Sequence, residues 1–269
     1  MTDQSPDTGS YYRDHWVHVE PERMSRYEAM FQWRDGHAAL IAPADVRAGQ
    51  VVVDYGCGPG GLSAELARRV GPGGRVLALD INPEFLDRTR ALVRREGLDE
   101  RVETHLLDGE TIPLADASVD RVICKNVLEY VPDPARTVAE FRRLLRPGGI
   151  AHVSDSDWGA VIVEPLGAQF EVVMAAAAIA FRTPQIGRRL YGLFGQAGLD
   201  DVRVQMLASP DTEGALRPVL SNMAGYARTS GRLAEAEIAG FLAGVDAALE
   251  AGTYLAVLPQ FLVTGRAPA

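Results

Sequence analysis

The chain has 269 residues and a net charge of −9 at neutral pH, from 27 basic and 36 acidic side chains. At about 150 residues per domain, this length predicts one large domain or a domain with a cap, and the acidic balance disfavours binding to nucleic acid or to an anionic membrane. Two cysteines, no signal-peptide pattern and no apolar run of about 20 residues predict a cytoplasmic protein without membrane insertion.

Strands and helices alternate through the first 154 residues, after a polar tail over 1–10 and an aromatic-rich helical stretch over 11–46. Apolar periodicity and helix-start signals such as Asn82-Pro83 and Asp133-Pro134 define the elements. Strands are predicted at 51–53, 75–79, 102–107, 119–124 and 150–154, with helices at 62–70, 82–96 and 133–145. This alternation predicts a doubly wound α/β fold, in which helices cover both faces of a parallel sheet.

The pattern changes after residue 154. Residues 166–197 are predicted to be helical, residues 202–206 and 254–264 are predicted to be strands, and the 208–252 segment between those strands is mostly helical.

A glycine-rich loop joins the first strand to the first helix of this alternating region. Gly56, Gly58 and Gly61 fit the G-x-G-x-x-G pattern of dinucleotide-binding proteins, and Gly56, Gly58 and Gly60 fit the tighter G-x-G-x-G. Such glycines let a ligand approach main-chain N–H groups at a helix N-terminus. The glycines alone leave the ligand open.

Three acidic residues narrow the choice of ligand class. Asp80 ends the second strand, where a carboxylate accepts the hydroxyls of a ribose. Asp54 stands at the mouth of the glycine turn, where its charge repels a pyrophosphate and favours an ammonium or sulfonium. Asp108, with Gly109, follows the third strand and offers a carboxylate to an adenine amino group. A nicotinamide oxidoreductase is therefore disfavoured, mainly by Asp54.

Four segments, 51–61, 78–83, 107–109 and 120–131, resemble the motifs of the class I, Rossmann-like S-adenosylmethionine-dependent methyltransferases. The similarity extends over roughly residues 45–160 and is greatest to the ubiquinone/menaquinone-biosynthesis-like branch of small-molecule enzymes. It implies a seven-stranded, mostly parallel sheet whose last strand is antiparallel. It also implies a tail and helical lid over 1–46 and a methyltransferase domain over 47–269, with a helical cap inserted at about 208–252.

The resemblance implies roles for nine cofactor-binding residues. Gly56 and Gly58 would lie under the methionine part of S-adenosylmethionine, with Asp54 near its amino group. Asp80 would bind the ribose, Ile81 would pack on the adenine, and Asp108 with Gly109 would contact the adenine edge. The methionyl end would be lined by Lys125, the only lysine of the chain, and by Asn126.

The acceptor side of the site is less well defined by the sequence. Leu128-Glu129-Tyr130 stands where many relatives carry Glu-His, which removes a candidate base and weakens the argument for a quinone substrate. His15 and Asp155 are the candidates for a catalytic role. Their alternatives are a lid-surface histidine, like His18, and a loop-capping aspartate.

Candidates for the acceptor pocket are aromatic. They are Tyr12, Trp16 and Trp158, with ordinary core packing as the alternative for the first two and a capped loop for the third. Lys125 has the alternative of an ordinary surface lysine.

The function predicted is methyl transfer to a small, apolar or aromatic metabolite of the natural-product type, without a metal ion because no ligand cluster has suitable spacing. The alternative is a non-catalytic cofactor-binding regulator or scaffold of the same fold. The expected partner is the small-molecule acceptor, and a homo-oligomer is left open. Residues 11–34 and 208–252 are expected to cover the acceptor, so that deletion of 1–34 abolishes turnover but changes cofactor affinity by less than about tenfold.

Overall fold

The computed structural model describes residues 9–19, 21–108 and 111–269. The strands are β1 (Val51–Tyr55), β2 (Arg75–Asp80), β3 (Val102–Leu106), β4 (Val119–Lys125), β5 (Leu145–Ser156), β6 (Ile162–Glu164), β7 (Asp200–Leu207), β8 (Leu255–Val257) and β9 (Gln260–Arg266). The α-helices are α1 (Tyr11–Val17), α2 (Pro21–Met30), α3 (Ala38–Ile41), α4 (Gly61–Val70), α5 (Pro83–Arg95), α6 (Pro134–Leu144), α7 (Gly167–Ala177), α8 (Ile186–Gln196), α9 (Arg217–Ser230) and α10 (Glu235–Glu250).

Seven strands form one twisted sheet in the order β3-β2-β1-β4-β5-β9-β7. Neighbouring strands from β3 to β5 are parallel, whereas β9 is antiparallel to both β5 and β7. The predicted seven-stranded, mostly parallel fold with an antiparallel last strand is therefore confirmed. The strand order reverses between β1 and β4, which is where open parallel sheets bind their ligands.

Helices bury apolar stripes against both faces of this sheet. On one face, Phe141 of α6 and Phe194 of α8 are fully buried in the largest core cluster. On the other face, Leu66 and Val70 of α4 pack with Ile41 and the neighbouring strand residues. The predicted caps are also present, since the Asn82 and Asp133 side chains accept the first free N–H groups of α5 and α6.

The sequence prediction was wrong at three boundaries. The helix predicted over 166–197 breaks at 181–185, where Pro184 cannot continue a helix. The strand predicted over 254–264 is two strands, β8 and β9, separated at Pro259. The fifth strand begins at Leu145 rather than Ile150, because Leu145 already pairs with Val119 across a bulge.

A helical cap, formed by β6, α7, α9, α10 and β8, has its own hydrophobic core. It differs from the predicted 208–252 insertion because β6 and α7, which precede β7, pack on α9 and α10. The N-terminal helices join this cap where the Tyr27 hydroxyl of α2 meets the Tyr226 hydroxyl of α9 at 3.0 Å. Within the described ranges, no helix has the length and apolar character needed to cross a bilayer.

Candidate active site

A cavity of about 270 Å³ opens at the carboxyl ends of the parallel strands. Asp54 near the end of β1, Asp80 at the end of β2 and Lys125 at the end of β4 all line it. Ile81 and Asp108, which follow β2 and β3, line it as well. The topology thus brings Asp54 and Lys125, which lie 71 positions apart in the sequence, into one cavity.

The glycine loop that follows β1 forms part of the cavity wall. Gly56 and Gly58 both have positive φ, 75° and 53°, and both line the cavity. A Cβ at Gly56 would lie 2.4 Å from a methyl of Val127, so no larger residue fits there without moving the loop after β4. Glycine is required at this position for both its backbone conformation and its size.

Asp80 links the glycine loop to helix α5. One carboxylate oxygen accepts the Gly58 N–H at 2.8 Å, and the other accepts the Asn82 N–H at 2.9 Å. Burial raises the pKa of Asp80 to about 6, although these backbone hydrogen bonds oppose the rise. Each oxygen can accept a further hydrogen bond, so Asp80 can take a donor from a bound molecule.

Asp54 and Lys125 place opposite charges in the cavity. Asp54 is fully buried and accepts the Ser63 hydroxyl at 2.6 Å, and burial raises its pKa to about 7. Lys125 is half-buried, and burial lowers the pKa of its ammonium while the carboxyls of Asp155, Asp54 and Glu129 raise it. Lys125 lines the cavity, which disfavours the alternative of an ordinary surface lysine.

Asp155 holds the loop after β4 in place through hydrogen bonds to its backbone. Its carboxylate accepts the N–H groups of Val127 at 3.2 Å and Leu128 at 2.9 Å, and it does not form part of the cavity wall. Asp155 therefore anchors the loop from a position outside the cavity wall, and its candidate catalytic role stays a prediction. Burial raises its pKa to about 7.

Asn126 begins the loop in a strained conformation. Its φ is 53°, a left-handed value that asparagine tolerates better than most residues. Its side-chain oxygen is buried and has no hydrogen-bond partner among the described residues. Asn126 also lines the cavity, so this oxygen is a candidate acceptor for a ligand.

An aromatic wall lines part of the cavity, and Phe31 in this wall lies beside Gly58 of the glycine loop. Trp16 of α1, Phe31 and Trp33 line the cavity from the N-terminal segment, and Tyr130 lines it from the loop after β4. Trp16 stacks on Tyr27 with ring centroids 5.1 Å apart and meets Tyr130 edge-on at 4.9 Å. The Asn82 side-chain amide donates to the Trp16 carbonyl oxygen at 2.9 Å, which ties α1 to the start of α5.

Two predicted pocket residues, Tyr12 and Trp158, and the catalytic candidate His15 lie outside the cavity wall. Tyr12 instead has the Arg182 guanidinium over its ring, 5.8 Å from the ring centre. Trp158 is buried under the cap, where its Nε1 donates to Glu129 at 2.6 Å. His15 is buried rather than exposed on the lid, and it packs beside Trp16 without lining the cavity.

Several cavity-lining residues had no recognisable signal in the sequence. His37 lies in a short turn before α3, and burial together with the Lys125 charge lowers its pKa. Arg13 and Arg136 line the cavity from α1 and α6. Tyr130 was noted only as a departure from relatives. Asp108 is an exposed wall residue, and Gly109 lies outside the described residues.

Neither a metal-binding cluster nor a reactive thiol is found among the described residues. Among residues 9–19, 21–108 and 111–269, no three His, Cys, Asp or Glu side chains are grouped so that they could hold a metal ion. Cys57 and Cys124 are buried free thiols, and burial raises both pKa values. The cavity lining itself combines carboxylates and aromatic rings with Lys125, His37, Arg13 and Arg136.

The sequence and the fold have identifiable relatives. Residues 53–153 match the family described as a methyltransferase domain. The chain is 39% identical over 116 residues to the methyltransferase GfsG of Streptomyces halstedii, covering 43% of this chain and 41% of that protein. It is 36% identical over 104 residues to the demethylmenaquinone methyltransferase of Lactobacillus johnsonii, covering 39% of this chain and 43% of that protein. The chain thus matches about two fifths of the length of these curated relatives.

A solved structure shares the fold over most of the chain. Phosphoethanolamine N-methyltransferase 2 of Haemonchus contortus, in complex with S-adenosyl-L-methionine, superposes with a TM-score of 0.66 at 16% identity. The superposition covers 96% of this chain and 60% of that chain. The similarity therefore includes the cap and the N-terminal helices as well as the sheet.

Proposed function

We infer that this chain, which carries a class I S-adenosylmethionine-dependent methyltransferase domain, transfers a methyl group from that cofactor to a small, apolar or aromatic acceptor. One observation carries the proposal. The glycine loop and the carboxylates of Asp54, Asp80 and Asp108 share a single cavity with the aromatic rings of Trp16 and Tyr130. A methyl donor and an apolar acceptor need adjoining compartments of these two kinds.

The residues of the polar end suit the adenosyl and methionyl groups. Asp80 would accept the ribose hydroxyls, Asp108 and Ile81 would hold the adenine, and Gly56 and Gly58 would lie under the methionine part. Asp54 would face the amino group, since a carboxylate stabilises an ammonium in a partly dry site. The chemistry of the donor set fits, and the unpartnered oxygen of Asn126 supplies a further acceptor.

Bound S-adenosylmethionine supplies an electrophilic methyl group on a sulfonium. The protein side chains then have two tasks, which are to align the acceptor with that methyl and to exclude water. Trp16, Phe31 and Tyr130 would align a flat or apolar acceptor against the polar end. The N-terminal helices and the cap, which meet at Tyr27 and Tyr226, would close the site.

The aromatic wall supports an acceptor of the natural-product type, although Arg13 and Arg136 line the cavity as well. Phe31 and Trp33 add apolar area to the rings of Trp16 and Tyr130. The two buried free thiols suit a reducing, cytoplasmic setting. Domain boundaries follow the same reasoning, with residues 1–46 as tail and lid and residues 47–269 as the methyltransferase domain with its cap.

Calorimetry with S-adenosylhomocysteine and with NAD tests the cofactor half of this proposal. We expect S-adenosylhomocysteine to bind at micromolar concentration and NAD to bind at least about a hundredfold more weakly, because Asp54 repels a pyrophosphate. Equal affinities, or a preference for NAD, would contradict the proposal.

A further inference from the structure

Two nitrogen atoms in the cavity lining have no partner within the described part of the chain. They are Nζ of Lys125, at the end of β4, and Nε2 of His37, in the short turn before α3. Both side chains are half-buried, and neither nitrogen is one of the unpartnered polar atoms that are closed to water. Each nitrogen is therefore accessible to a molecule in the cavity that both residues line.

The surroundings of the His37 ring make Nε2 a hydrogen-bond donor. The backbone N–H of Arg34 donates to Nδ1 of His37 at 3.3 Å, so Nδ1 carries a lone pair. The proton of the neutral ring then lies on Nε2. Burial and the charges of Lys125 and Arg34 lower the pKa of His37, which keeps the ring neutral. Trp33 packs edge-on against the ring, with centroids 5.6 Å apart.

Lys125 and Asp54 are neighbours on one face of the sheet. Asp54 pairs with Ile123 across β1 and β4, and Lys125 stands two residues beyond Ile123, so both side chains point to the same face. The Lys125 charge opposes the rise that burial causes in the pKa of Asp54. Yet the ammonium forms no ion pair with Asp54 or with another carboxylate of the described residues. The cavity thus presents a carboxylate and two N–H donors close together, without direct contact between them.

This arrangement matches the two charged groups of an α-amino acid. Its ammonium and its carboxylate are attached to one carbon, so their protein partners must lie close to each other. Asp54 disfavours a purely anionic ligand, and Lys125 disfavours a purely cationic one. Arg13 and Arg136 also line the cavity, but both are exposed residues of helices.

We propose that Lys125 and His37 together bind the α-carboxylate of the methionyl group of S-adenosylmethionine. The Lys125 ammonium forms an ion pair with this carboxylate, and Nε2–H of His37 donates a hydrogen bond to it. Asp54 holds the ammonium on the same carbon. The inference rests on the proposed function, because it assigns the methionyl end of the same site. It makes the segment before β1 a part of the cofactor site through His37.

Three variants separate the two donors from packing effects. Lys125→Met removes the ammonium and keeps the length of the side chain. His37→Phe removes the donor and keeps a ring beside Trp33, whereas His37→Gln places an amide donor near the position of Nε2. His105→Phe is the matched control, because His105 is a half-buried histidine of β3 outside the cavity wall. Circular dichroism verifies the fold, and Lys125→Gln replaces Lys125→Met if that variant does not fold.

Calorimetric titration of the full chain with three ligands tests the assignment. S-adenosylhomocysteine carries both charged groups, 5′-S-(3-aminopropyl)-5′-thioadenosine lacks only the carboxylate, and 5′-S-(3-carboxypropyl)-5′-thioadenosine lacks only the ammonium. We expect the wild-type chain to bind S-adenosylhomocysteine at least about tenfold more tightly than the aminopropyl compound, because hydrogen bonds to a charged group are lost. This ratio of affinities reports the carboxylate alone, since the two ligands share every other group.

The variants should change this ratio in a specific pattern. We expect it to fall at least about threefold in Lys125→Met and in His37→Phe, and to stay within about twofold of the wild-type ratio in His37→Gln and His105→Phe. The carboxypropyl compound should also bind at least about threefold more weakly to Lys125→Met than to the wild-type chain. It has no ammonium to face Asp54, so this loss belongs to the carboxylate.

A wild-type ratio below about tenfold would overturn the assignment, and so would a ratio that falls less than about threefold in both Lys125→Met and His37→Phe. An equal fall in His37→Phe and His37→Gln would refute the role of the His37 donor. In each of these outcomes S-adenosylhomocysteine still binds. A wild-type chain that does not bind S-adenosylhomocysteine at all would instead refute the proposed function, and this assignment with it.

Discussion

Replacement of Asp80 by alanine perturbs the cofactor end of the cavity most directly. The carboxylate accepts backbone N–H groups from Gly58 and Asn82, at 2.8 and 2.9 Å, and its remaining capacity faces the cavity. The variant therefore loses the acceptor proposed for the ribose and also releases the glycine loop. Bonds of this charge-assisted kind contribute about 1.5–3 kcal/mol.

This free energy corresponds to a loss of about tenfold to 150-fold in affinity. The assay is calorimetric titration with S-adenosylhomocysteine, with far-ultraviolet circular dichroism to verify the fold. Asp87→Ala is the control, because Asp87 is a 71% exposed aspartate on α5 that pairs with Arg90 outside the cavity. A dissociation constant for Asp80→Ala within threefold of the wild-type value would refute the assignment.

Metal chelation, an N-terminal deletion and the pH dependence of the melting temperature provide the other tests. Treatment with EDTA should leave methyl transfer unchanged, and activity restored by a divalent ion would contradict this. Deletion of residues 1–18, which removes α1 but keeps Phe31 beside the glycine loop, should abolish turnover while cofactor affinity changes less than about tenfold. The melting temperature of the cofactor-free chain should rise by about 2–4 °C from pH 8 to pH 6.5. Asp54 and Asp155 have pKa values of about 7 in the folded state, well above the usual value for aspartate. As the pH falls from 8 to 6.5, the folded state therefore binds more protons than the unfolded state, which stabilises it. Below pH 6.5 the gain should diminish, because buried His15 and His152 have pKa values of about 4. A flat or falling melting temperature between pH 8 and pH 6.5 would contradict the burial of these charges.

The deletion is shorter than the one expected from the sequence, and the structure gives the reason. A Cβ at Gly61 would lie 2.2 Å from the Phe31 carbonyl oxygen, so the segment after α2 packs directly on the start of α4. Removal of residues 1–34 would therefore disturb the glycine loop itself. A deletion that removes part of the acceptor cover without disturbing the cofactor site must therefore keep Phe31 and Trp33.

The grouping of the glycine loop with the strand-end carboxylates in one cavity could be predicted because its signals are local. Glycines at Gly56 and Gly58, and carboxylates at strand ends such as Asp80, stand in fixed positions relative to the elements that carry them. Parallel strands bring their carboxyl ends to one edge, so position in sequence translates directly into position in the fold.

The acceptor half depends on long-range packing that no local pattern encodes. Asp155 has the expected position at the sheet edge, yet its carboxylate accepts hydrogen bonds from the N–H groups of the loop after β4. Trp158 lies outside the cavity wall and donates a hydrogen bond to Glu129. Tyr130 enters the wall through its contacts with Trp16, which lies 114 positions earlier in the chain. The cap likewise requires α7 to pack on α9, which begins 40 residues after α7 ends.

Transfer of label from S-adenosylmethionine tests the central claim most directly. The full chain is incubated with cofactor carrying a radiolabelled methyl group and with a panel of small aromatic and terpenoid acceptors, and the label is followed into the extracted product. We predict that at least one acceptor becomes labelled, that S-adenosylhomocysteine forms in equal amount, and that Asp80→Ala strongly reduces both at limiting cofactor. Tight cofactor binding without label in any acceptor would contradict the account and would favour a non-catalytic, cofactor-binding protein of the same fold.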